Sequence, residues 1–427
     1  MSEIALLLTL ISLFLVLVLL KVPVAFALAS SSLLIIVIMG KPPILVIERM
    51  YASLEYFPLL AIPFFMLVGV LMSTGVAMEQ IIQVSRVFVG HFQGALAHIN
   101  ILVSMLFAGV SGTSTSDTAG IGSILIPAMH RSGFPLGFSV AITAASSTIG
   151  TIIPPSVLMV IYGSISGVSI SKLFLAGAIP GVLVGFVQMV YAYMLAKKNN
   201  WPANERASLK EIGSALKNGT LPMMIPVIII GGIIGGIFTA TEAGAIATLY
   251  ALILGIFYRE ITLTNIGAII NKAARTVALP LFAIAASTLF GWLIAFLKAP
   301  NIATKFVLSI TNSPQIGLMF IMLVFFIVGM FIDGVPAIII FSPVANAIGN
   351  GLGIPEMQIA IVVCMTVSLG LITPPFGLCL LLASKIGKIS VVQASIDTIP
   401  FVLLFIIVVL IVIFFPAVSL WLPSLLN

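Results

Sequence analysis

The chain has 427 residues, of which 61% are hydrophobic and 7% charged, with 18 Lys and Arg against 12 Asp and Glu for a net charge of +6. A soluble domain carries roughly 25% charged residues, so this composition cannot cover a water-facing surface and excludes soluble enzymes and nucleic-acid binders; surplus Lys and Arg instead suit a cytoplasmic membrane face. Continuous apolar runs without alternating polarity exclude a transmembrane β-barrel and predict an all-α polytopic membrane protein in a lipid bilayer.

Runs 4–20 and 22–39 are the first predicted crossings; the first has no basic leader or cleavage site and reads as a retained helix. Residues 42–57 (PPILVIERMYASLEYF) mix apolar and charged side chains and predict an arm helix along the interface. After a crossing at 58–76, residues 96–130 are too long for one helix and break at SGTSTSD (111–117), which predicts a re-entrant hairpin. The crossing 134–165 breaks at SSTIGTIIPP (146–155), and 170–195 closes the first half. The polar stretch 196–219 is the natural linker. Crossings at 221–238 and 240–258, an arm helix at 261–277 and a crossing at 278–298 follow. A second hairpin spans 315–350 and turns near GMFIDG (329–334), the crossing 355–384 breaks at SLGLITPP (368–375), and 395–421 ends the series. That makes ten crossings and two hairpins.

The halves 1–195 and 220–427 correspond in register. Pro63 and Pro280 lie 217 residues apart, Asp117 and Asp333 lie 216 apart, as do Pro127 and Pro343, and Pro154-Pro155 recurs 220 residues later as Pro374-Pro375. Five crossings per half would make the second half enter from the opposite side, an inverted-topology repeat. With the linker cytoplasmic, 13 of the 18 Lys and Arg share its side, and both termini face the periplasm.

A helix broken at membrane depth is tolerated only where protein, water or a ligand fills the break. Unwound carbonyls at Gly112, Gly150, Gly334 and Gly370, with hydroxyls of Ser111, Ser114, Thr151 and Thr373, form oxygen-only sets suited to Na⁺. Helix N-termini near Ser116-Asp117 and Asp333-Gly334 can hold an anion's carboxylate. The structural alternative stays open: a Pro pair also kinks a helix, and Asp is a good N-cap. Lys298 either snorkels to the exterior interface or reaches inward to a substrate carboxylate. Glu242 reads as the cap of its own helix. Cys364 and Cys379 show no metal or disulfide spacing, and His91, His98 and His130 show no metal spacing. An ion channel also uses broken helices, and a Na⁺- or H⁺-coupled anion carrier of another type uses the same parts. An intramembrane enzyme would need a GxSxG or HExxH motif, which is absent.

In the order LFAGVSGTSTSDTAGIGSILIPAM (106–129), TIGTIIPPS (148–156), TATEAGA (239–245) and GLITPPFG (370–377), the chain resembles the large membrane subunit of tripartite ATP-independent periplasmic (TRAP) transporters, of the DctM-like type, over nearly its whole length. The resemblance implies the elevator-type architecture of the ion-transporter superfamily, with hairpins and broken helices as the transport domain and the other helices as scaffold. It implies Na⁺-coupled uptake of a carboxylate, of the sialic acid or C4-dicarboxylate class, in a bacterial inner membrane. A periplasmic substrate-binding protein and a small four-helix membrane subunit are the implied partners. Carried onto this chain, the cation residues are Ser111, Gly112, Ser114, Gly150, Thr151, Pro154, Gly329, Asp333, Gly334, Gly370, Thr373 and Pro374. The substrate residues are Ser116, Asp117, Thr148, Asp333 and Lys298.

Overall fold

The computed structural model describes residues 2–73 and 75–426, and among them no strand occurs. Helices α1 (Glu3–Leu19) and α2 (Val24–Ile38) form a pair whose connecting turn holds Lys21 in the left-handed region, at φ 64°. Helix α3 (Ile44–Leu54) has no buried residue. A 3₁₀ turn at Phe57–Leu60 then leads into α4 (Ala61–Met72), which leaves α3 at a bend of 66°. The break falls at Tyr56, which is extended, and Pro58 sits in the first turn after it, where its missing amide costs nothing.

Helix α5 (Val76–Val89) precedes α6 (Ala95–Ser111) and α7 (Ser114–Arg131), which meet at Gly112, itself left-handed at φ 63°. Helices α8 (Leu136–Ser147) and α9 (Val157–Ser166) are the two parts of one interrupted helix, and α10 (Ile170–Asn199) completes the first half. The second half runs α11 (Leu209–Ile234), α12 (Ala240–Phe257), α13 (Ile266–Phe296), α14 (Ala299–Ile310), α15 (Pro314–Gly329), α16 (Gly334–Gly351), α17 (Glu356–Gly370), α18 (Leu378–Gly387), α19 (Val391–Phe414) and α20 (Ala417–Ser424). Each half thus carries two helices meeting tip to tip, α6–α7 and α15–α16, followed by an interrupted helix, α8–α9 and α17–α18.

The interrupted helices form the centre. Every residue from Phe138 to Ser147 in α8 and from Gln358 to Gly370 in α17 is buried. A helix enclosed on all sides is a core element. A second apolar cluster joins α1, α2 and the C-terminal half of α13, including Phe14, Leu28, Leu289 and Phe290. Helices α4 and α12 are tied across the halves: the Thr241 and Thr248 hydroxyls donate to the Phe57 and Phe64 carbonyls at 3.1 and 3.2 Å.

Two boundaries differ from the sequence reading. The stretch 261–277 is not a separate arm helix: from Ile266 it is the start of the 31-residue α13, since no proline interrupts it before Pro280. The linker 196–219 is non-helical only at 200–208, because α10 runs on to Asn199 and α11 begins at a capping box in which Ser208 and Glu211 serve each other's amides. Among the described residues six helices are long and apolar enough to cross a membrane alone, or seven if the α3–α4 path is taken as one. Helices α1 and α2, at 17 and 15 residues, fall below that length, and the interrupted helices count as short pieces.

Candidate functional site

Asp117 lies in the first turn of α7 and is fully buried. The Ser111 hydroxyl donates to its Oδ1, while Oδ2 has no hydrogen-bond partner among the described residues. The 3₁₀ turn Thr148–Thr151 that ends α8 brings Gly150 against this free oxygen. A Cβ built on Gly150 would lie 2.1 Å from Oδ2 and 3.5 Å from the Thr113 carbonyl oxygen. The Thr113 hydroxyl is also buried without a partner. An unpartnered buried polar group costs about 1–3 kcal/mol, and more when charged. Oxygens gathered without partners are what a cation can satisfy.

Hydroxyls connect this point to the other half. Ser114 Oγ is 3.1 Å from Thr151 Oγ1, which is 2.7 Å from Ser368 Oγ on α17. The Val157 amide donates to the Gly112 carbonyl at 3.1 Å, so the tip of α6–α7 is bonded to the far side of the break at Pro154-Pro155. Thr118 and Ser147 hydroxyls pair at 2.6 Å one turn deeper. Thr148 donates to its own helix, at the Ala145 carbonyl.

The second half repeats the contact with different chemistry. Gly370 presses on Gly329: a Cβ on Gly370 would sit 2.6 Å from the Gly329 carbonyl carbon and oxygen. The Phe376 amide donates to the Met330 carbonyl at 3.2 Å, matching the Val157–Gly112 bond. Thr373 donates to the Leu369 carbonyl at 2.8 Å, beside Pro374. Asp333, however, is the N-cap of α16 and accepts from the Gly334 amide at 2.7 Å. It is half-buried where Asp117 is sealed. The two breaks differ likewise, since Pro154 and Pro155 are buried while Pro375 and Phe376 are exposed.

A small cavity of about 70 Å³ lies between the two tips, lined by Gly112, Ser114 and Thr151 from the first half and Asp333, Gly334 and Leu371 from the second, with Met66 and Pro280 from α4 and α13. A larger one, about 290 Å³, opens on the other side of Asp333.

Most of the residues expected at a site therefore fall into two adjacent groups, one around Asp117 and Gly150, the other around Gly329 and Gly370. Asp117, at the N-terminal end of α7, accepts from the Ser111 hydroxyl and keeps one oxygen free. Ser116 turns toward α4, with its Oγ 3.6 Å from a Cβ position on Gly69. Lys298 stands apart: it is exposed at the end of α13 and pairs with Glu3 at 2.8 Å. Thr239 and Glu242 form a capping box at the start of α12. Ser368 was not singled out from the sequence, where a lone hydroxyl in an apolar helix signals only close packing, and Thr113 is one of five hydroxyl residues between 111 and 116 with nothing local to distinguish it.

Residues 11–418 match the family described as tripartite ATP-independent periplasmic transporter, DctM component. The sialic acid TRAP transporter large permease protein SiaM of Vibrio cholerae is 35% identical over 405 residues, 94% of this chain and 95% of that protein. The C4-dicarboxylate TRAP transporter large permease protein DctM of Pseudomonas aeruginosa is 34% identical over 377 residues, 88% of each. The YdaH transporter of Alcanivorax borkumensis shares the fold alone, with a TM-score of 0.59 at 14% identity over 86% of each chain. Matched along nearly all of its length, and apolar throughout, the chain belongs to the DctM-component family of TRAP transport permeases, multi-pass proteins of the membrane.

Proposed function

We propose that this permease carries out Na⁺-coupled uptake of an organic carboxylate received from a periplasmic substrate-binding protein, in complex with a small four-helix membrane subunit. The observation that supports it most is Asp117, buried with one oxygen unpartnered against Gly150. Asp117, Ser111, Thr113 and the Gly150 turn would hold one Na⁺; Gly329, Gly370 and Thr373 with Asp333 would hold a second. Sodium supplies positive charge at oxygens that otherwise lack donors. The cavity between the tips has room for one carboxyl group of the substrate, facing the α16 N-terminus, and would have to widen to take the rest. Sialic acid and C4-dicarboxylates are the substrate classes considered, as relatives carry those names.

In this reading the chain has ten crossings and two re-entrant hairpins in two inverted repeats, both termini periplasmic. The hairpins and interrupted helices move as one body past the scaffold, carrying the site between the two faces of the bacterial inner membrane. The complex reconstituted in proteoliposomes should concentrate labelled sialic acid or succinate when Na⁺ is imposed outside, and lose that ability when Na⁺ is equal across the membrane or replaced by choline. Uptake equally concentrative without a Na⁺ gradient would overturn the coupling.

A further inference from the structure

A further cavity, of about 740 Å³, shares no lining residue with the two at the tips. Its size falls within the roughly 300–1,000 Å³ of small-molecule sites. Its walls come from separate parts of the chain: Arg86 on α5, Ala95 at the start of α6, Ser132 in the turn after α7, Arg206 on the segment between α10 and α11, and Asn218 on α11. That segment is tied down. Trp201 is buried against Phe134 and Phe138, the Pro202 carbonyl accepts from the Gly94 and Ala95 amides at 3.1 and 3.2 Å, and the Asn204 amide donates to the Gly90 carbonyl at 3.0 Å. Walls held this way stand ready before a ligand arrives, which lowers the cost of binding one.

Among the described residues the one ion pair is Lys298 with Glu3, and the Arg86 and Arg206 guanidiniums have no partner. A guanidinium takes a carboxylate through paired N–H donors. The amides of Gln83, Asn204 and Asn218 offer both donors and acceptors. Two carboxylates also line the cavity: Glu211 is engaged by the Ser208 amide and hydroxyl, and Glu205 is left to accept from a ligand's hydroxyl. Two positive and two negative side chains balance, so one added carboxylate sits beside two guanidiniums, whereas a second adds repulsion and brings Glu205 no donor. We propose that this cavity binds a hydroxylated carboxylate of the sialic acid class, and that binding there arrests the carrier. The proposal rests on the uptake reading above, in which this face is cytoplasmic and meets the delivered acid, and it adds a regulation to that reading. In the elevator, α6 and the α7–α8 turn travel while α5 and α11 stay. A ligand held between them favours the one conformer in which the cavity exists, so accumulated product slows further entry.

The test is the double variant Arg86→Gln/Arg206→Gln in the complete reconstituted complex. Both side chains are exposed and unpartnered, so its melting temperature and its uptake into empty vesicles should stay near wild type, the latter within about twofold. With the binding protein outside and saturating sialic acid sealed inside, the initial rate of Na⁺-driven uptake should fall at least about threefold in wild type and hardly at all in the variant. Product re-entering the transport site would slow both alike, so equal slowing, or none in wild type, overturns the proposal. Labelled sialic acid should also bind the purified complex in choline, where the coupled site is not loaded, with affinity at least about tenfold weaker in the variant. Displacement of that label by excess succinate or by phosphatidylglycerol vesicles would give the cavity to plain acids or to lipid headgroups and overturn the assignment. Absence of concentrative uptake of either acid by wild type would instead remove the transport reading, while the binding measurement still decides the cavity, so the two failures are distinct.

Discussion

A buried carboxylate with one oxygen left without a donor is an expensive arrangement, and Asp117 keeps it because Gly150 offers no side chain to fill the space. Gly150→Ala should therefore be severe, as its methyl would enter the position of Oδ2; overpacking of this kind costs about 1–3 kcal/mol and here also closes the proposed cation position. Sodium-dependent uptake should fall to background while the variant still reaches the membrane. Gly231→Ala, where an added Cβ meets nothing within 4 Å, is the matched control and should transport normally. The two hairpin acids were legible in the sequence, since a charge at that depth needs a reason. The partners were less so. Ser368 gains meaning only once the other half is folded against it, and no local pattern marks which hydroxyl will face across a helix contact. Lys298 left two readings open, and the fold supplied the Glu3 carboxylate that a sequence cannot place beside it.

At the level of elements, the segment between the halves is more than a tether. Trp201 is buried with its ring 4.6 and 4.7 Å from Phe134 and Phe138, and the Pro202 carbonyl accepts from the Gly94 and Ala95 amides at the start of α6. The Asn204 amide donates to the Gly90 carbonyl at the end of α5. Trp201→Ala should cost about 3–5 kcal/mol, seen as a lower midpoint of thermal unfolding, with Trp201→Phe recovering most of it. At the end of this strap the Ser208 amide and hydroxyl hold the Glu211 carboxyl below its usual range. The proline pairs made both helix breaks readable in advance. The second arm was misjudged because charge along 261–277 resembles an interfacial helix whether or not the backbone continues into the next span, and only a helix breaker separates those cases.

For the whole molecule, a ligand that binds the folded state alone stabilises it by mass action, about 2.7 kcal/mol at one hundred times its dissociation constant. Sodium chloride should thus raise the melting temperature of the purified protein where choline chloride at equal ionic strength does not. Asp117→Asn should abolish that difference while leaving the melting temperature in choline within a few degrees. An equal response of wild type and Asp117→Asn to Na⁺ would remove Asp117 from the cation site. The correspondence of the halves was visible from four landmarks at near-constant offset. Their inequality was not, because it resides in what covers each break rather than in the residues of the break.

That inequality reaches further. Pro154 and Pro155 are enclosed while Pro375 and Phe376 are not, so two counterparts of one design occupy different circumstances at the same moment. If the halves trade places during transport, the shape of the opposite-facing form is already written in the chain. A thiol at position 376 would then become shielded as one near 157 is uncovered, each door taking its latch from the other.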